Sequence, residues 1–129
     1  MKENFGKEYK LCSKILIDEL FNSGFRLQQF PFQAIVLPAK LNNKISFQVL
    51  ISVPKKKFKK AVDRNYIKRV IRELIRKNKL NLESLLNETN IQLAVCFMYT
   101  SNEKMDFQQL EGKIIKLIEK IHTHVENLR

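Results

Sequence analysis

The chain has 129 residues, 44% of them hydrophobic, with only three glycines and three prolines, so it can bury one core and leaves little room for long disordered stretches. It holds no run of about 18 apolar residues, and its polar start, Met1-Lys2-Glu3-Asn4-Phe5, lacks a signal core; one cytoplasmic domain over 1–129 is expected. The net charge is +11, and residues 55–79 carry twelve Lys/Arg against two acids, a concentration that solubility does not require and that points to a polyanionic partner.

In chain order, Ser13 is placed to cap a helix over 13–23, which Gly24 ends, with Leu16, Ile17, Leu20 and Phe21 at helical spacing. Residues 29–37 and 44–53 read as strands. In the second, Ile45, Phe47, Val49, Ile51 and Val53 alternate with Ser46, Gln48, Leu50 and Ser52, giving one apolar face. Leu41-Asn42-Asn43 reads as a hairpin turn between them, and Pro31 places the first at a sheet edge or bend. Pro54 closes the second strand.

Within the basic segment, Ile67, Val70, Ile71, Leu74 and Ile75 form the stripe of an amphipathic helix, extended to about Lys79. Residues 82–87 add a short helical turn. Residues 91–99 form a largely apolar strand, expected at the centre of the sheet. Asp106 and Gln109 resemble a capping box before a last helix carrying Phe107, Leu110, Ile114, Leu117, Ile118, Ile121, Val125 and Leu128 along one side. The expected fold is an α+β sandwich, a small mixed sheet with packed helices in the order α-β-β-α-β-α. The basic helix forms the crossover between parallel strands.

At about 100° per residue, Arg64, Asn65, Lys68, Arg69, Arg72 and Arg76 fall within one sector of roughly 140°, with the apolar stripe on the opposite side. Guanidinium forks suit phosphate oxygens, and an amide suits a base edge or a 2′-hydroxyl. Lys55, Lys56, Lys57, Lys59 and Lys60 extend the charge to the helix entrance. A merely solvated helix face would mix signs, and a membrane-surface helix would need the apolar face that the neighbouring strands require.

Other candidates are weaker. Phe21, Phe30 and Phe32 could stack bases, although alternating phenylalanines, Phe47 included, more often face a core. His122 and His124 point about 200° apart on a helix, which disfavours a shared metal ion. Cys12 and Cys96 are expected to be reduced, partly buried thiols in a cytosolic protein. No residue pattern suggests a catalytic group, and the acids near the basic segment are too few for a two-metal nuclease.

The stretch from Ile51 to Glu73 resembles the signature of the bacterial ribonuclease P protein family. Ser52-Val53, Lys55-Lys56, Ala61-Val62, Arg64-Asn65, Lys68-Arg69 and Arg72-Glu73 answer to its parts in order. Leu20-Phe21-Asn22-Ser23-Gly24 and Gln109-Leu110-Glu111 extend the likeness to both ends. Tyr66 departs from the pattern, standing where the family has an arginine; so do Phe58 or Lys59, at the family's spacer glycine, and Ile17, at an aromatic.

The resemblance implies a protein that binds the catalytic ribonuclease P RNA and the 5′ leader of precursor tRNA. The leader would lie in a cleft between the sheet and the first helix, with Phe21, Phe30 and Phe32 as candidates there. Lys55, Lys56, Lys59, Lys60 and the helix cations would touch RNA. It further implies that the RNA carries the chemistry, that Mg²⁺ is held mainly by RNA, that the protein alone is inactive, and that neither a membrane nor an obligate protein partner is involved. The competing class is a non-catalytic RNA binder, such as a ribosomal protein or RNA chaperone.

Overall fold

A computed structural model describes residues 6–41 and 45–128. After a short 3-10 turn at Lys7–Tyr9 come α1 (Lys14–Ser23), β1 (Phe25–Gln29), β2 (Phe32–Pro38), β3 (Phe47–Ser52), α2 (Ala61–Thr89), β4 (Leu93–Tyr99) and α3 (Phe107–Asn127). The α+β class and the crossover through the basic helix stand as expected. β3 and β4 are parallel neighbours, with Val49 opposite Val95.

Three expectations are corrected. Residues 29–37 are not one strand. The chain turns at the cis Phe30–Pro31 bond, and an additional strand, β1, precedes it, paired antiparallel with β2. The strands before the basic helix do not form a hairpin with each other, because the sheet order is β1-β2-β4-β3 and β4 stands between β2 and β3. Asn42 and Asn43, read as that turn, lie outside the described residues. Finally, the basic helix does not stop near Lys79 before a separate turn. α2 runs unbroken to Thr89, and Leu82, Leu85 and Leu86 continue its buried stripe.

The sheet separates two cores. On one face α2 and α3 pack against Phe32, Ala34, Val36, Phe47, Val49, Val95, Phe97 and Tyr99. On the other, Leu16, Ile17 and Leu20 of α1 pack against Ile35, Ala94 and Cys96. Alternation along each strand creates this division. Ser13 accepts the Leu16 N–H at 3.3 Å to cap α1, and Asp106 with Gln109 forms a reciprocal capping box on α3. Gly24 ends α1 with an ordinary φ of −70°, not a left-handed one. It is needed for closeness, since a Cβ there would meet the Leu20 carbonyl oxygen at 2.4 Å and Ile35 Cγ2 at 2.5 Å.

Candidate nucleic-acid interface

β3 ends at Ser52, and the chain then passes through residues 53–60 into α2, so the basic loop and the start of the basic helix share one end of the sheet. Lys55, Lys56, Lys59, Lys60, Asn65, Lys68, Arg69 and Arg72 are all exposed there or further along α2. Lys60, the N-cap, makes no side-chain capping bond, so the partial positive charge of the helix start adds to that of the lysines.

Arg64 and Arg76 are half-buried and engaged within the protein. Arg64 Nη1 donates to the carbonyls of Phe58 at 2.8 Å and Lys59 at 2.9 Å. The reason is angular. At about 100° per residue Arg64 lies roughly 20° from Ile71, at the border of the buried stripe and not opposite it. Arg64 thus holds the basic loop against α2 and presents only part of its guanidinium. Arg76 Nε donates to Glu73 at 3.1 Å, and that hydrogen bond holds the Glu73 carboxyl below its usual range.

Tyr66 is 40% exposed. The Lys104 ammonium, from the segment between β4 and α3, sits 5.7 Å from its ring centroid and 2.6 Å from the Asp63 carboxylate. A cation therefore stands beside this position although the helix residue itself is uncharged. Nothing in the local sequence could have assigned Lys104 to this place, because 38 positions separate it from Tyr66.

Two further surfaces adjoin the helix. A cleft of about 260 Å³ between residues 6–10, β3 and α2 is walled by Lys10, Lys68 and Arg72. Across the sheet face that carries α1, Gln28, Gln33, Met98 and Ser52 stand in register as one row. This row lies next to the row of Arg26, Ile35, Cys96 and Leu50, whose Ile35 and Cys96 α1 helps to bury. None of its four residues is buried. The row ends at Ser52, where the basic loop begins.

Of the aromatic candidates, Phe21 and Phe30 are 37% and 63% exposed and stand near this face, at the end of α1 and at the β1–β2 turn. Phe32 must be withdrawn. It is 1% exposed, faces the α2–α3 core and packs edge-on to Tyr99 at 5.7 Å, so it offers no ring to a base. Its neighbour Gln33 occupies the accessible face instead. Alternation within β2 sets Phe32 with Ala34 and Val36 on the core side, whereas Phe30 belongs to the turn before the strand. Among the described residues no group of three His, Cys, Asp or Glu side chains is placed to hold a metal ion. His122 Nδ1 lies 2.7 Å from Glu126 while His124 stacks on Phe25.

Known proteins resemble this chain in sequence and in fold. The family model described as Ribonuclease P matches residues 5–122. The ribonuclease P protein component of Porphyromonas gingivalis (strain ATCC 33277) is 31% identical over 119 residues, covering 92% of this chain and 87% of that one. The corresponding protein of Pseudoalteromonas translucida is 33% identical, covering 92% and 78%. Among solved structures, a Staphylococcus aureus RNase P protein mutant with defective mRNA degradation activity superposes with a TM-score of 0.69 at 21% identity, covering 89% of each chain. The Thermotoga maritima RNase P protein does so with 0.65 at 23%, covering 86% of this chain and 96% of that one. At these identities the structures speak for the fold.

Proposed function

The chain belongs to the ribonuclease P protein family, whose place is in tRNA 5′ processing with an RNA partner, and from that premise we propose that it binds the catalytic ribonuclease P RNA through α2 and the 5′ leader of precursor tRNA across the open sheet face. One observation carries the proposal: the exposed cations of the 53–60 loop and α2 continue directly from the uncovered row Gln28, Gln33, Met98 and Ser52. Phosphates of a folded RNA meet fixed cations on a rigid helix. A single strand crossing the row meets amides, a hydroxyl and a thioether, which suit sequence-tolerant contact with bases and sugars. Phe21 and Phe30 are the rings available for stacking near it.

In this proposal the protein holds RNA and does not cleave it. The interface supplies cations and amides. Its nearest carboxylates, Asp63 and Glu73, are already paired with Lys104 and Arg76. The donor set thus does not fit a protein-held Mg²⁺, and Mg²⁺ is assigned to RNA phosphates, where the RNA performs the hydrolysis. The protein lowers the Mg²⁺ requirement by supplying positive charge that ions would otherwise provide. No helix among the described residues is long and apolar enough to cross a membrane, and the assembly is proposed to work in the cytoplasm without an obligate protein partner.

The test is single-turnover cleavage of precursor tRNA by the cognate ribonuclease P RNA at low Mg²⁺. The protein alone should be inert and should restore cleavage when the RNA is present. RNA binding with unchanged cleavage would transfer the chain to the ribosomal or chaperone class.

A further inference from the structure

On the far side of the sheet from β3, a pocket of about 520 Å³ lies between β1 and α3. That size falls within the ~300–1,000 Å³ of small-molecule sites. Its wall holds Phe25 and His124, whose rings stack with centroids 4.1 Å apart and planes inclined by 10°. Phe25 remains 51% exposed, so stacking on the imidazole leaves it a large accessible surface. Lys116 and Lys120 come from the preceding turns of α3, and Thr123 and Asn127 complete the polar lining. Lys120 Nζ donates to the Gln28 carbonyl, which fixes it at the β1 edge.

We propose that this pocket binds one nucleotide of single-stranded RNA, with its base stacked on Phe25 as the outer layer of the Phe25–His124 stack and its phosphate toward Lys116 and Lys120. An aromatic wall, two ammonium groups and amide and hydroxyl partners within one nucleotide's reach match the three parts of a nucleotide. Glu119 also lines the pocket, so its net charge is only +1 and phosphate alone is held weakly. Stacking must therefore contribute, and the site prefers a nucleotide to a bare anion. β1 makes the placement consistent with the open face. Arg26 and Gln28 belong to that face, while Phe25, Leu27 and Gln29 alternate to the pocket side. A strand leaving the open face over the β1 edge arrives at Phe25. This last step rests on the RNA-binding reading above; the nucleotide site itself does not.

The experiment is a titration of the ¹⁵N-labelled full chain with adenosine 5′-monophosphate, and separately with inorganic phosphate, following backbone amides. Saturable shifts at Phe25, Thr123 and Asn127 are expected with the nucleotide but not with phosphate. Phe25→Leu should weaken them by about five-fold or more, with Lys116→Ala as an independent variant outside the stack. A pocket that stays silent, or that responds equally in Phe25→Leu, overturns the site. Shifts confined to α2 would overturn it while leaving the basic-helix interface standing. Failure of that interface would show separately, as an unchanged salt dependence of RNA binding in Lys68→Ala/Arg69→Ala.

Discussion

At the level of single residues, the environment of a side chain decides more than its type. Cys96 is fully buried, and desolvation pushes its thiol up to about 11, whereas Cys12 is exposed. A thiol reagent at neutral pH should label Cys12 alone, with Cys96 reacting only after denaturation, as mass spectrometry would show. Tyr9 is buried and its hydroxyl donates to the Glu83 carboxylate at 3.1 Å; burial first and the carboxylate second raise its phenol to about 12. A raised folded-state value favours the neutral phenol. The stabilisation is therefore complete below the unfolded value of 10.0 and is lost as pH rises from there through about 12. Urea midpoints should fall over that window, and Tyr9→Phe should remove this component of the fall. Gly24→Ala should cost roughly 1–3 kcal/mol, because the added methyl forces α1 off Ile35; an unchanged midpoint would show that the helix end yields freely. The Cys96 and Tyr9 environments are not visible in the local sequence, and at Gly24 only the Leu20 carbonyl is local while Ile35 comes from another element.

For the elements, periodicity was informative where it persisted and silent where contacts switched. The stripe Ile67, Val70, Ile71, Leu74 and Ile75 is buried as its spacing predicts. Leu74→Ala should cost about 2–5 kcal/mol of stability, read from denaturant unfolding. The stripe then continues through Leu82, Leu85 and Leu86, while the intervening Lys79 is buried under the N-terminal segment, its ammonium 4.7 Å from the Tyr9 ring. A buried lysine breaks the pattern, which is why the helix reads as two pieces. Asn65, Lys68, Arg69 and Arg72 of the basic face are exposed, whereas Arg64 is half-buried and holds the loop. Replacing Lys68 and Arg69 should lower the slope of log affinity for RNA against log salt by about 0.7–0.9 per lost phosphate contact. Replacing Arg64 should also loosen the 53–60 loop, seen as faster amide exchange at Lys59 and Lys60.

Taken as a whole, the molecule is a sheet with α1 on one face and α2 and α3 on the other, and the face that α1 leaves partly bare is continuous with the basic loop. Sequence alternation could place residues on faces but not choose which strand lies beside which; that depends on where β4 settles after the long crossover. β4 contributes two of the three ladders, antiparallel to β2 and parallel to β3. Remove it and β2 and β3 have no ladder between them. A chain ending at residue 92 should therefore show no cooperative thermal unfolding, whereas the full chain should. The same fact sets an order in time during synthesis. The basic helix is complete in the growing chain before Leu93–Tyr99 exists, so its charge is made while the sheet beneath it is still open. Closure of the fold waits for a strand that enters last and at the middle.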